Sequence, residues 1–150
     1  GFNYRLNDLQ AALGISQLKK LNSFIEKRRL IAKKYNNIFQ EEIDLKLPYQ
    51  AKKSISSFHL YIIRIKKEGK LDRKVIFEKL RNNGILVNIH YIPIYRQPFY
   101  SKDYSIKNFP NAESYYEEAI SLPIFPDLTD DQIEQVAETL KKPTNYQNIF

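Results

Sequence analysis

SFHLYIIRIK, residues 57–66, is the most strand-like stretch of this 150-residue chain. β-Branched and aromatic side chains dominate it, and this composition favours a buried strand. The turn predicted after it, residues 67–70, contains Gly69. Apolar side chains with helical spacing lie on both sides of the strand, so the wider pattern predicts strands that alternate with helices.

Downstream of this strand the pattern predicts a regular alternation of elements. They are a helix at 75–83, a strand at 85–90, a helix at 111–119, an extended piece at 121–125 and a helix at 130–140. Asp72 and Thr129 precede two of these helices as N-caps, and Gly84 is a natural C-cap. A loop rich in proline and tyrosine occupies residues 91–110, where proline disfavours regular structure. The tail after Pro143 is expected to fray.

Two long helices are predicted to open the chain, over residues 7–20 and 22–39. Capping boxes are predicted for Asn7 with Gln10 and, in a better form, for Ser23 with Glu26. Because Asn22 and Ser23 favour caps over helix interiors, we expect a bend between the helices. The whole pattern predicts an α/β fold in which helices cover one face of a short sheet. The surface against which the opening helices pack is expected to lie partly outside this chain.

The composition excludes several kinds of site. Cysteine is absent, which rules out disulfides, thiolate metal ligands and cysteine nucleophiles, and with two histidines we expect no metal site. No apolar run approaches the roughly 20 residues that cross a bilayer, and we expect a cytoplasmic protein. Methionine is absent, even at position 1. We therefore expect a piece of a longer protein, with a processed or trimmed chain as the alternative.

The net charge of +7 raises the alternative of a basic module that binds nucleic acid. The lysines and arginines are dispersed over predicted helix faces and strand ends, where solvation is the usual explanation. Only the loop over 91–104 interleaves tyrosines with cations, namely Arg96 and Lys102. Its prolines argue against a stacking platform, and we expect no nucleic-acid partner.

The opening segment GFNYRLNDLQAALGISQL, residues 1–18, carries the strongest chemical pattern. Gly1 and Asn3 suit a turn, and Arg5 stands just before a predicted helix N-terminus. Backbone amides, a side-chain amide and a guanidinium together form a good anion site. The alternative is a capped helix whose arginine is merely solvated, and the residues alone do not choose between the two.

Three blocks of the sequence resemble the DegT/DnrJ/EryC1/StrS family of sugar aminotransferases. The first is GFNYRLNDLQAALGISQLKKL with FIEKRRLIAKKY after it, the second is NIHYIPIYRQPFY at 88–100, and the third is FPNAESYYEEAISLPIFPDLTDDQIEQV at 109–136. They stand in the family's order and cover most of the chain. HYIP…QPFY and AISLPIFPDLT are most similar to the branch that acts on UDP-linked 4-keto-6-deoxy sugars for pseudaminic acid synthesis.

The resemblance implies the architecture of a pyridoxal-phosphate (PLP) enzyme of fold type I, like aspartate aminotransferase. Residues 1–40 are expected to be interdomain helices with a phosphate-contact motif, and residues 41–150 the C-terminal small α/β domain. The implied reaction moves an amino group from an amino acid, expected to be glutamate, to C4 of a UDP-linked keto sugar. The implied assembly is a homodimer.

The resemblance also implies which residues bind. Asn3 matches the asparagine that reaches the cofactor phosphate of the other subunit, and Arg5 the arginine near that phosphate or the nucleotide sugar. The sugar-nucleotide site corresponds to Asn88, Ile89, His90 and Tyr91, with Tyr95 and Gln97 as weaker candidates. Without the resemblance, a histidine at a strand end is often only a structural hydrogen bonder. His59, inside a predicted strand, is expected to be core or edge structure.

One departure from the family pattern concerns the catalytic lysine. That lysine bonds the cofactor aldehyde and precedes the G-x-N-x-R motif, which begins here at Gly1. We therefore expect no catalytic residue in this chain, and no activity from it alone. Nothing in it separates an aminotransferase from a family dehydratase or a non-catalytic paralogue.

Overall fold

The computed structural model describes residues 2–67, 69 and 71–141. Its elements in order are α1 (Asp8–Leu18), α2 (Leu21–Phe39), β1 (Leu45–Lys46), β2 (Tyr61–Ile65), α3 (Arg73–Asn82), two 3-10 turns (Ile94–Arg96 and Ile106–Asn108), α4 (Pro110–Glu118), β3 (Ala119–Leu122) and α5 (Asp130–Lys141). The predicted α/β class and the two long opening helices are confirmed. The tail after Pro143, for which fraying is predicted, lies outside the described residues.

The sheet is antiparallel, with β2 between β1 and β3. Tyr61 pairs with Leu122 and Ile63 with Ile120, so these four side chains point to the same face. Tyr61, Ile63 and Ile120 are completely buried there. Since residues alternate along a strand, the opposite face of β2 carries the half-buried Ile62 and Arg64.

Three helices cover the buried face of this sheet. α2, α3 and α5 contribute Ile31, Ala32, Tyr35, Phe39, Ile76, Leu80, Ile133, Val136, Ala137 and Leu140 to one core. The ring of Tyr35 lies 4.9 Å from that of Tyr61, and its hydroxyl donates to the carbonyl of Pro123 at 3.0 Å. Two aromatic side chains are therefore buried without leaving the Tyr35 hydroxyl unpaired.

The opposite face of the sheet holds α4 through polar contacts. Nη2 of Arg64 lies 2.8 Å from Oε2 of the buried Glu118, and Nζ of Lys46 lies 3.6 Å from the same oxygen. Ser114 donates to the other carboxylate oxygen at 2.9 Å. The Arg64 guanidinium also lies 5.5 Å from the ring centre of Tyr115. A buried carboxylate is tolerated here because cations and a hydroxyl surround it.

Most of the predicted helix caps are present. Asn7 and Gln10 form a reciprocal capping box, with distances of 3.1 and 2.9 Å. The Asp72 carboxylate accepts two backbone N–H groups of α3, and Thr129 caps α5. Gly84 follows α3 with φ of +76°, the conformation expected of a glycine C-cap.

The predicted capping box of Ser23 with Glu26 is wrong. α2 begins at Leu21, two residues before Ser23, and its N-cap, Lys20, makes no side-chain cap. Ser23 therefore lies within the first helical turn. The break between the helices exists, but it lies at Lys19 and Lys20 rather than at 22–23.

The second predicted strand, 85–90, is also wrong as a strand. Only Asn88 pairs with the sheet, through an isolated bridge to Ser121. The N–H of Ile85 donates to the carbonyl of Leu80 at 3.0 Å, and that of Val87 to the carbonyl of Ile85 at 2.9 Å. These donors are used locally, so no continuous ladder forms, although Ile85 and Val87 are buried.

The first predicted strand, 57–66, is shorter than expected. β2 begins at Tyr61, because Phe58 has φ of +47° and the guanidinium of Arg28 binds the carbonyls of Phe58 and His59. His59, expected inside the strand, is an exposed residue before it. The extended piece predicted at 121–125 is β3, two residues earlier than predicted.

α1 differs from the other helices in its burial. None of its residues is buried, and Leu9, Leu13 and Leu18 are 83%, 62% and 69% exposed. The sequence predicts that the surface against which the opening helices pack lies partly outside this chain, and the exposure of α1 agrees with this prediction. The second half of α2 packs in the core of the chain itself.

Candidate functional site

The first group of candidate residues lies on the segment before α1. Residues 2–6 have no regular structure, and Phe2 and Tyr4 are 87% and 92% exposed. Asn3 and Arg5 are exposed as well, and no hydrogen bond joins either side chain to another described residue. Gly1, the first residue of the motif, lies outside the described part. The Asn3 amide and the Arg5 guanidinium are therefore free to bind a group supplied from outside this chain.

The N-terminus of α1 adds less to an anion site than the sequence suggests. The capping box occupies the backbone N–H groups of Asn7 and Gln10, and Asp8 places a negative charge in the first turn. An anion is repelled by that carboxylate and finds these two amides already paired. The side chains of Asn3 and Arg5 thus carry the donor capacity of this segment.

The second group of candidates surrounds one buried hydroxyl on β3. Asn88 and Ser121 exchange two backbone hydrogen bonds, of 3.3 and 2.8 Å. Nδ1 of His90 lies 2.7 Å from Oγ of Ser121. The ring of Tyr91 meets that of His90 edge-on at 4.5 Å, across a cis peptide bond. Asn88 to Tyr91 are thus brought together at the end of the bridge.

Only the oxygen of the Asn88 side-chain amide makes a hydrogen bond. Its Oδ1 accepts the N–H of Ile89 at 2.8 Å, which leaves its NH₂ group without a partner in the described residues. Ile89 and His90 are partly exposed, while Asn88 and Tyr91 are exposed. This end of the bridge therefore offers an amide donor, an imidazole and a phenol to a ligand.

Tyr95 and Gln97 lie apart from that cluster of side chains. The Tyr95 ring stacks on Phe109 at 4.3 Å, and burial together with the neighbouring Glu113 carboxylate raises its pKa. Gln97 is exposed at the end of a 3-10 turn, with no side-chain partner among the described residues. As substrate contacts, both stay predictions, and the packing of Tyr95 gives it a second role in shaping the loop.

An ion pair that the sequence analysis did not identify holds this loop. Arg96 donates through Nε to the Glu113 carboxylate at 2.9 Å and through Nη2 to its second oxygen. The guanidinium also lies 5.1 Å from the ring centre of Tyr116. The hydrogen bond from Arg96 holds the pKa of Glu113 below its usual value. The loop over 91–110 is therefore attached to α4, although 17 positions separate the two charges.

Ser121 was also missed, because no sequence signal distinguishes it from other strand serines. Within residues 2–67, 69 and 71–141, no group of three or more acidic, histidine or cysteine residues is placed to hold a metal ion. Over the same residues, the helices are too short or too polar to cross a bilayer.

Comparison with known proteins gives these residues a family context. Residues 1–141 match the DegT/DnrJ/EryC1/StrS aminotransferase family. The UDP-4-amino-4,6-dideoxy-N-acetyl-beta-L-altrosamine transaminase of Helicobacter pylori is 35% identical over 95% of this chain and 38% of that protein. The chain spans 37–38% of the length of the curated relatives that it matches.

Solved structures agree with this comparison. The H. pylori aminotransferase PseC, described as involved in pseudoaminic acid biosynthesis, has a TM-score of 0.84 at 35% identity, covering 93% of this chain and 38% of that one. The PLP form of Spr1654 from Streptococcus pneumoniae has a TM-score of 0.83 at 29% identity, covering 91% and 35%. The small sheet and its helices therefore have the geometry found in these proteins.

Proposed function

The chain belongs to the DegT/DnrJ/EryC1/StrS aminotransferase family, and from this we propose that the whole protein is a PLP-dependent aminotransferase of nucleotide sugars. Its proposed reaction transfers the amino group of an amino acid, glutamate as the first candidate, to C4 of a UDP-linked 4-keto-6-deoxy sugar. The similarity to a transaminase named for a UDP-linked amino sugar supports this substrate class. The chain supplies the C-terminal part of that enzyme.

The observation that carries the proposal is the exposure of the Asn3 and Arg5 side chains and their lack of partners in the described residues. Both are exposed, and neither side chain bonds to a described residue. They precede α1, a helix in which no residue is buried. An amide and a guanidinium are suitable donors to phosphate oxygens. These residues fit a cofactor phosphate that is held elsewhere, which supports a homodimer in which each subunit reaches into the other's site.

The residues around Ser121 have a second role in the proposal. The free NH₂ of Asn88 and the imidazole of His90 donate to oxygen atoms of the sugar nucleotide. Tyr91 lines the same side of the binding site. Bound PLP supplies the electron sink through which an amino group and a proton pass between donor and acceptor carbons. The amine that bonds the cofactor aldehyde comes, in this proposal, from the rest of the whole protein.

Cofactor affinity tests the role of Asn3. In the whole protein, Asn3→Ala removes a donor to a charged phosphate, an interaction of about 1.5–3 kcal/mol. We expect the Kd for PLP, followed by its visible absorbance, to rise by about tenfold or more. Asn37→Ala is the matched control, because Asn37 is an exposed asparagine of α2. An unchanged Kd for Asn3→Ala contradicts the phosphate contact.

The reaction itself is tested by product analysis. The whole protein is supplied with glutamate and a UDP-linked 4-keto-6-deoxy sugar, and the sugar product is weighed by mass spectrometry. We expect an amino group in place of the keto oxygen. A product that has lost water supports the family dehydratase instead, and no product on any of several keto sugars supports a non-catalytic paralogue.

The nucleic-acid alternative is weakened by the pairing of the cations. Ion pairs and carbonyl contacts engage Lys27, Arg28, Arg29, Lys34, Lys46, Arg64, Arg96 and Lys141. Their charges are thus engaged by carboxylates or backbone carbonyls of the chain itself. Salt-dependent binding of a single-stranded oligonucleotide at micromolar concentration is the result that favours this alternative.

A further inference from the structure

The contact between Ser121 and His90 has two features that set the proton positions. Ser121 is 5% exposed, and its Oγ lies 2.7 Å from Nδ1 of His90. In the described residues, neither this hydroxyl nor Nε2 of His90 makes another hydrogen bond. The Ser121 hydroxyl and Nδ1 of His90 are therefore each other's only side-chain hydrogen-bond partner among the described residues.

The backbone holds both partners in place. Ser121 pairs with Ile62 of β2 on one side and with Asn88 on the other, so its Cβ is fixed between two neighbours. His90 follows Asn88 by two residues, and the Tyr91 ring packs edge-on against the imidazole at an interplanar angle of 87°. The pairing of Ser121 and Asn88 thus holds the backbone on both sides of this contact close together.

The direction of the hydrogen bond follows from burial. A buried hydroxyl proton without an acceptor is unfavourable, and the neutral imidazole offers one nitrogen that accepts and one that donates. If Oγ–H donates to Nδ1, the hydroxyl proton is satisfied and the ring proton resides on Nε2. If Nδ1–H donates instead, the hydroxyl proton has no acceptor among the described residues.

We infer that Ser121 is a positioning residue that fixes His90 as the tautomer with its proton on Nε2. His90 then presents an N–H donor to an oxygen atom of the ligand, such as a carbonyl or hydroxyl of the sugar nucleotide. This inference rests on the proposed function for the identity of the ligand. Its claim about the proton stands on the geometry of the two residues.

Nitrogen NMR tests the tautomer directly. In the ¹⁵N-labelled protein at a pH where imidazole is neutral, the ring couplings separate a protonated from an unprotonated Nδ1. His90→Gln identifies which of the two histidines gives each signal. We expect the wild-type His90 to hold its proton on Nε2 alone. Ser121→Ala should introduce an Nδ1–H population, and Ser121→Thr, which keeps a hydroxyl, should retain the single tautomer.

The outcomes distinguish the inference from the proposed function. A wild-type His90 with its proton on Nδ1, or an unchanged signal in Ser121→Ala, overturns the inference, and the first of these needs no variant to fold. In the whole enzyme, Ser121→Ala should raise KM for the keto sugar several-fold, with kcat nearly unchanged and KM restored by Ser121→Thr. If His90→Gln leaves KM unchanged while the tautomer result holds, the proposed ligand contact fails instead.

Discussion

Nη1 of Arg28 lies 2.7 Å from the carbonyl oxygen of Ile124, which is 96 positions further along the chain. The same nitrogen lies 3.3 and 3.2 Å from the carbonyls of Phe58 and His59. One guanidinium on α2 therefore joins the segment before β2 to the segment after β3. Arg28 is thus a connector between loops rather than a solvated residue of the helix face.

Replacement of Arg28 should cost stability. Arg28→Ala removes the donor to three carbonyls, two of them in partly buried contacts, so we expect the free energy of unfolding to fall by about 2 kcal/mol. Lys33→Ala, on an exposed position of the same helix, should change it by less than about 0.5 kcal/mol. Urea denaturation followed by circular dichroism measures both. Equal effects of the two variants would show that the carbonyl contacts contribute nothing.

Replacement by alanine should affect stability differently at two glycines. Gly84 has φ of +76°, where an alanine side chain is strained although no atom lies within 4 Å of its Cβ position. Gly84→Ala should therefore cost about 1 kcal/mol. Gly14 lies inside α1 with equally open space, and Gly14→Ala should gain helicity and lose no stability. Thermal unfolding of the two variants compares them directly.

How well the sequence predicts these features depends on how local they are. The Asn7–Gln10 box was predictable because both partners lie within four residues, whereas Ser23 and Glu26 have the same spacing and fail since α2 starts at Leu21. Strand 85–90 fails for a related reason. Ile85 and Val87 are buried as in a strand, but their backbone N–H groups donate to carbonyls close by in the chain.

In the candidate site, too, features set by nearby residues can be predicted and features set by distant residues cannot. The resemblance directs attention to His90, and the structure adds Ser121, whose hydroxyl lies 31 positions away in sequence and 2.7 Å away in space. The pairing of Arg96 with Glu113 is likewise invisible in the sequence, because it depends on where the loop crosses α4. Contacts between such distant segments depend on how the elements pack in three dimensions, which no local pattern encodes.

Leucines on α1 and α3 should differ in their contribution to stability. Leu13 is 62% exposed, while Leu80 is completely buried in the core. Leu80→Ala should lower the free energy of unfolding of the 150-residue chain by about 2–5 kcal/mol. Leu13→Ala should change it by less than about 0.5 kcal/mol, because that side chain removes little surface from water. A large loss for Leu13→Ala would mean that α1 packs within this chain after all.

Glu118 should make the domain sensitive to acid. Burial by itself raises the pKa of this carboxyl, but the hydrogen bond from Ser114 and the charges of Arg64 and Lys46 outweigh it, so the pKa lies below its usual value. A carboxyl with a lowered folded-state pKa stabilises the fold above its unfolded pKa, about 4.3. That contribution is lost as the pH falls through the folded-state pKa.

The test compares unfolding free energies of wild type and Glu118→Gln between pH 7 and pH 3. At pH 7 we expect Glu118→Gln to be less stable by about 1–3 kcal/mol, because Arg64 loses its charged partner in a partly buried site. As the pH falls below about 4.3 the two proteins should begin to converge, and they should coincide only below the lowered folded-state pKa, where the wild-type carboxyl is neutral in the fold as well. Glu134→Gln, at an exposed position of α5, should follow the wild-type curve throughout. If the difference in unfolding free energy between wild type and Glu118→Gln is the same at every pH, the lost stability comes from packing and not from charge.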